Sequence, residues 1–287
     1  VWVFYSLLSA FFFATADALS KKVLLRADER IVAWSRFLFA SPFLLALLIV
    51  VRLPPLDGPF WGAMLALIPL EVVALLLYLR AIKVSPLSLT IPFLSLTPVF
   101  LVVSGRILLG ERIGPVGGAG IGLIVAGGYL LQIHAVRGGW LGPVRAILAE
   151  EGSRLMILVA AIYSLTSALG KVAILHSSPA AFAILYLPVL AAAAAPVVLL
   201  TAGPSLPQLR IHWGLLFAIG FAEAAMTIFH CLAISQVQAA YMIAVKRTSL
   251  IFSVGYGYIL FNETRIRQRL AGSLLMLAGV ALISMRN

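Results

Sequence analysis

Two stretches decide how this chain folds: Phe60–Ile82, FWGAMLALIPLEVVALLLYLRAI, and His212–Ser235, HWGLLFAIGFAEAAMTIFHCLAIS. Trp61-Gly62 in the first returns 152 residues later as Trp213-Gly214 in the second, and Glu71 returns as Glu223. The same offset links Ala81 to Ala233, Glu111 to Glu263, Gly120 to Gly272 and Gly127 to Gly279. A helix needs about 20 apolar residues to cross a bilayer, and each stretch meets that length with a single acid at its centre. A repeat of this kind cannot bury its own hydrophobic surface in water, so it belongs in lipid.

Composition points the same way. Hydrophobic residues make up 62% of the 287 and charged residues 11%, with a mean hydropathy of +1.09, well outside the soluble range. The net charge of +11 comes largely from Lys and Arg flanking apolar runs, as expected at anionic membrane surfaces. It implies no nucleic-acid partner.

Pro, Gly and charge clusters divide the chain into ten apolar runs, approximately 1–20, 31–51, 60–82, 86–109, 114–133, 154–176, 179–201, 212–235, 238–261 and 266–285. The only long polar connection runs from His134 to Ser153 and includes Arg137, Pro143, Arg145 and Glu150-Glu151. The expected fold is therefore an all-α integral membrane protein. It has ten transmembrane helices, a first five-helix repeat over 1–135, a connecting loop over 136–153 and a second repeat over 154–287. Five spans return the chain to the opposite face, so the second repeat is expected to be inverted relative to the first, the usual architecture of alternating-access carriers.

Motifs for covalent or metal chemistry are missing. Cys231 is the only cysteine, and His134, His176, His212 and His230 show no ligand spacing. Neither a nucleophile elbow nor a Walker sequence is present. No enzyme activity, metal or cofactor is expected. Gly114, Gly118 and Gly122 recur every four residues and read as a close-packing helix face.

Eight charges stand in these apolar surroundings: Asp17, Lys21, Arg36, Glu71, Lys171, Glu223, Lys246 and Arg247. Each costs about 2.5–3.5 kcal/mol even on the lenient insertion scale, so they are expected to face a polar interior and mark a pathway. Glu71 and Glu223 lie at mid-span, where carriers commonly bind their solutes. Tyr78 and His230 follow them by seven residues, two turns along the same helix face. Lys246-Arg247 replaces the Leu94-Ser95 of the first repeat. Lys246, Ser249 and Ser253 are expected to share one face of the ninth helix, with Tyr256 at its edge. Five cations oppose three anions, and Asp17 and Lys21 are spaced to pair on one helix face. The surplus suits an anionic or zwitterionic solute.

The string Leu109-Gly110-Glu111-Arg112, followed by a glycine-rich helix, resembles the signature of EamA-type carriers in the drug/metabolite transporter superfamily. Arg36-Phe37-Leu38-Phe39-Ala40 is similar to the start of that module's second span, and Lys21 and Lys171 fall where each module often carries a lysine. The second signature departs from the pattern, reading Phe261-Asn262-Glu263-Thr264. The resemblance covers essentially the whole chain and implies a central cavity lined by helices 1, 3, 4, 6, 8 and 9. Val245-Lys246-Arg247-Thr248-Ser249 also resembles a phosphate-holding site in plastid sugar-phosphate carriers, although helix 4 here has no lysine.

The expected function is a secondary active transporter of a small anionic or zwitterionic metabolite, with a phosphorylated one included. Lys246, Arg247, Glu71, Glu223, Tyr78, His230, Ser249, Tyr256 and Arg36 are the expected substrate-binding residues. Asp17, Lys21 and Lys171 are expected to serve coupling or charge balance. The alternatives are a proton-coupled exporter of cationic or aromatic compounds and a lipid-linked-sugar flippase. The expected setting is the plasma or inner cell membrane, as a multi-pass monomer or weak dimer, with a small solute, the bilayer and protons as partners.

Overall fold

In a computed structural model, residues 1–109, 115–131, 141–237, 239–264 and 266–284 are described. Among them all regular structure is helical. The elements are α1 (Trp2–Leu24), α2 (Glu29–Leu45), α3 (Gly58–Val84), α4 (Leu87–Thr90), α5 (Thr97–Leu109), α6 (Pro115–Leu131), α7 (Gly142–Ala149) and α8 (Glu151–Leu175). There follow α9 (Pro179–Ala202), α10 (Gln208–Ile211), α11 (Trp213–Ile234), α12 (Ala239–Lys246), α13 (Ser249–Phe261) and α14 (Ile266–Ser284). Seven helical segments among the described residues are long and apolar enough to cross a membrane, and Gly122–Leu131 and Ser249–Phe261 are shorter apolar helices. Gly110, Glu111, Arg112, Gly114, His134 and Arg137 lie outside the described residues.

Side-chain caps start several of these helices. Asp28, Asp57, Glu150 and Ser178 each accept a backbone N–H from the first turn of α2, α3, α8 and α9. The polar connection expected as a loop is partly helical, because α7 forms within it and Glu150 caps α8 immediately afterwards.

Two of the runs break in mid-span among the described residues. The 86–109 run divides into α4, a 3-10 segment over Ile91–Leu96, and α5. Pro92 lacks an N–H for the helical ladder, and the Ser95 hydroxyl donates back to the Pro92 carbonyl at 2.6 Å. The 238–261 run breaks between α12 and α13 at Arg247-Thr248. There the Thr248 hydroxyl donates to the Val245 carbonyl at 2.8 Å, and the Leu250 and Ile251 amides reach back only three residues. Both interruptions fall at the places where the sequence aligns Leu94-Ser95 with Lys246-Arg247.

The helices associate as long pairs: α1 along α11, α3 along α8, α2 along α9, and α6 along α14, while α5 lies on α8 and α13 on α1. Glycines set the closest approaches. A Cβ on Gly279 would stand 2.5 Å from the Gly120 carbonyl oxygen, and one on Gly127 would stand 2.8 Å from that of Gly272. The glycines that obey the repeat thus build the α6–α14 contact. Gly122, expected on the packing face, meets nothing within 4 Å, because the stripe Gly120, Ile124, Gly127 and Leu131 faces α14 instead. Gly220 lets α11 press against α2, since a Cβ there would be 2.5 Å from Phe39 backbone and side chain.

The distribution of polarity is inside out relative to a water-soluble protein. Leu65, Ile107, Leu200 and Ile259 are largely exposed, whereas Asp17, Arg36, Glu223 and Arg247 are buried. Such an exterior needs hydrocarbon against it.

Candidate functional site

The interior charges gather around one cavity of about 130 Å³, walled by α1, α2, α3, α8, α9, α11 and α12. Helical periodicity explains the composition of its walls. On α8, Tyr163, Thr166, Ser167, Gly170 and Lys171 all reach the cavity, being spaced by three, four, seven and eight residues along one face. Leu67, Glu71 and Leu75 form the corresponding stripe on α3, and Glu223, Thr227, His230 and Cys231 that on α11.

At one side, Arg36 organises a buried cluster. Its Nε and Nη2 donate to the same Glu223 oxygen at 2.9 and 2.5 Å, and Nη1 donates to Asp17 at 3.0 Å. The second Asp17 oxygen accepts the Tyr78 hydroxyl at 2.5 Å, and the guanidinium lies 5.9 Å from the centre of the Tyr78 ring. The contact at Gly220, one turn from Glu223, brings α2 close enough for this geometry. One cation thus holds two carboxylates and ties α1, α2, α3 and α11 together.

Around Lys246 and Arg247 the arrangement is looser. Lys246 ends α12 with its ammonium 3.1 Å from His230 Nδ1, 3.3 Å from Met226 sulfur and 5.2 Å from the centre of the Phe13 ring. A lysine ammonium donates, so His230 accepts through Nδ1 and is neutral in this arrangement. Arg247 is 6% exposed, and its Nε has no hydrogen-bond partner. Neither Lys246 nor Arg247 has a carboxylate within 4 Å among the described residues. Lys171 also lines the wall. Glu71 faces the same space, with the Thr166 and Tyr186 hydroxyls near it.

Seven of the twelve residues singled out from sequence therefore line the cavity: Arg36, Glu71, Lys171, Glu223, His230, Lys246 and Arg247. Asp17 stands behind Arg36. Tyr78 is turned from the cavity to Asp17, unlike its counterpart His230. Ser249 and Tyr256 are not on the wall, because the break at Arg247-Thr248 takes α13 out of register with α12. Ser249 and Ser253 oxygens are buried without a hydrogen-bond partner, and the Tyr256 hydroxyl lies 2.9 Å from that of Thr15. Thr166, Tyr163 and Tyr186 were missed from sequence. Their signal was the three-four spacing of hydroxyl-bearing residues on α8 and the pairing of Tyr186 with Phe182 one turn earlier, rings stacked at 4.9 Å.

Lys21 lies in a second cluster and not beside Asp17. Its ammonium donates to the Ser85 carbonyl at 2.6 Å and stands 3.5 Å from Glu263. Glu263 also pairs with Arg269 at 3.1 Å and accepts the Leu87 and Ser88 amides that open α4. Asn262, with φ of 50°, makes the left-handed turn that ends α13 and folds Glu263 back over Gly257. Asp17 is consumed by Arg36, so the four-residue spacing with Lys21 is not used.

The family model of EamA-like transporters matches this chain twice, over residues 1–133 and 151–285. No curated relative matches the sequence. A solved crystal structure of another protein superposes with a TM-score of 0.67 over 98% of this chain and 95% of its own, at 17% identity, which shows a shared fold alone. Seven long apolar helices and a double family match over nearly all of its length leave one conclusion. The chain belongs to the EamA-like transporter family and is a multi-pass membrane transporter of small molecules.

Proposed function

We propose that the protein is a secondary active carrier of a small anionic or zwitterionic metabolite, phosphorylated solutes included, in which Lys246 and Arg247 hold the anionic group. The observation that carries this reading is the imbalance within the cavity. Asp17 and Glu223 are both engaged by Arg36, whereas Lys246 and Arg247 face the cavity with no carboxylate within 4 Å among the described residues. A buried guanidinium donor without a partner costs free energy until an acceptor enters. A carboxylate or phosphate oxygen is such an acceptor.

Alternating access is the proposed mechanism, with ten spans arranged as two inverted repeats over 1–135 and 154–287, joined by 136–153. Three observations support it. One family model matches both halves. Helix pairing is preserved when the halves are exchanged: α1 on α11 becomes α8 on α3, and α5 on α8 becomes α13 on α1. Both halves also interrupt the same span at the same place, and half-helix ends near the midplane are where such carriers bind their solutes. The proposed setting is the cell membrane, as a monomer or weak dimer. The alternative, a proton-coupled exporter of cationic or aromatic compounds, draws on Glu71 between Tyr163 and Tyr186, and it requires opposite proton movement on binding. Uptake into proteoliposomes tests the reading: K246A and R247A are expected to lose transport of any anionic solute the wild type carries. Full transport by both would sink it.

A further inference from the structure

Glu71 and Glu223 are sequence counterparts with unlike surroundings, and the reason lies on another pair of helices. Counting eight residues from the capping residue reaches Arg36 in α2, from Asp28, and Tyr186 in α9, from Ser178. Each reaches toward the glutamate of the other half, Arg36 to Glu223 and Tyr186 to Glu71. A guanidinium gives its carboxylate a full positive charge and a fork of hydrogen-bond donors. A phenol hydroxyl donates a hydrogen bond to a carboxylate but supplies no charge, and it serves the protonated acid equally well by accepting from it. Glu71 is thus an acid inside an apolar bundle, open to the cavity, with no ion-pair partner among the described residues.

The groups around it are identifiable. Tyr163, Thr166 and Lys171 face the cavity from α8, Tyr186 from α9, and Arg36 from α2 with Asp17 of α1 behind it. Glu223 and His230 face it from α11, and Lys246 with Arg247 from the α12 end. Arg36, a single cation, pairs with both Glu223 and Asp17, and Asp17 stands behind it, off the cavity wall. Glu71 is the acid on the cavity wall without an ion-pair partner among the described residues, and an anion entering beside Lys246 and Arg247 would share a cavity of about 130 Å³ with it.

We infer that Glu71 is the proton-coupling site, taking up one proton from solution when an anion binds at Lys246 and Arg247, so that proton and anion cross together. The inference rests on the proposed anion site. Its sign follows from linkage: protonating Glu71 removes a repulsion, so the anion binds more tightly as pH falls, and binding draws a proton in. One linked proton gives at most about a tenfold change in Kd per pH unit. Carriage of a monoanion is then electroneutral.

The test uses the full chain in detergent with sulfate and benzenesulfonate, two oxyanions that do not titrate between pH 5.5 and 8. Their Kd values are read from ligand-dependent thermal stabilisation. For the wild type, Kd is expected to fall by up to about tenfold per unit of acidification, with proton uptake on binding in weakly buffered solution. E71Q should bind with the wild type's low-pH affinity at every pH, and E71D, which keeps an ionisable group, should restore the dependence. H230Q should retain it, since His230 contacts Lys246 directly but carries no carboxyl group. Anion binding that is independent of pH in the wild type, proton release, or a dependence that survives E71Q overturns the inference while leaving the anion site intact. Failure of both oxyanions to bind at any pH overturns the anion site itself.

Discussion

Two groupings of cations at the cavity stand in opposite conditions. On the Arg36 side one guanidinium makes three hydrogen bonds to two carboxylates and is 1% exposed. On the Lys246-Arg247 side the cations meet a neutral imidazole, a thioether, an aromatic ring and an unfilled donor position. Arg36 and Arg247 are buried and Lys246 is partly buried in a membrane protein, where each charge is expensive. The first set is satisfied within the protein and acts as a lock between α1, α2, α3 and α11. The second is left for something that enters. Burial of charge therefore does not by itself mark a binding site; burial without a partner does.

The sharpest way to break this contrast is R36M, which strands Asp17 and Glu223 as buried carboxylates without a cation. Loss of one partner from a buried pair costs about 3–5 kcal/mol, so R36M is expected to unfold at markedly lower temperature in detergent or not to accumulate. The K246A variant, which leaves no carboxylate stranded, should unfold near the wild-type temperature. A smaller separation comes from the glutamates. E223Q weakens charge-assisted hydrogen bonds to Arg36 and should cost about 1.5–3 kcal/mol, whereas E71Q, facing hydroxyls, should cost under about 1 kcal/mol. Equal losses would mean that the two acids are equivalent after all. G220L pushes α11 off Phe39 and strains the Arg36–Glu223 geometry, with an overpacking cost of about 1–3 kcal/mol. G122L, where nothing lies within 4 Å, should be silent in the same thermal assay.

The smallest expected effect lies outside the spans. Asp57 accepts the Phe60 amide at 3.0 Å and lies 2.8 Å from His176 Nδ1, and these contacts hold its carboxyl below the usual carboxylate range. A depressed folded-state value stabilises the fold above the unfolded carboxylate pKa of about 4. That contribution is lost as pH falls through the lower folded value. D57N should flatten this acid limb of the thermal stability profile and leave stability at neutral pH nearly unchanged, since Asn also caps helices.

Much of this was legible in the sequence. Apolar run lengths pointed to the seven long apolar helices found among the described residues, because a bilayer imposes a length on each helix, and the repeat offset located the mid-helix acids and the glycines of the α6–α14 contact. Seven of the expected residues came to one cavity because lone charges in apolar helices have few other places to go. Partner choice was not legible. The Asp17–Lys21 spacing is ideal within a helix, yet Arg36 and Glu263 arrive from other helices and take the two apart. Ser249 and Tyr256 were lost to a break that carries no proline, set by a threonine hydroxyl bonding back to the chain at Arg247-Thr248. The tyrosines and threonine around Glu71 were overlooked because uncharged side chains in a membrane helix look like packing until the acid they face is known.

The most direct measurement of the central claim is the Kd of a non-titrating oxyanion, sulfate, for the wild type and for the K246A/R247A double variant at pH 6, both shown to be folded by their thermal unfolding. The account expects saturable stabilisation of the wild type and none of the double variant over the same concentration range. Equal stabilisation of both would contradict it.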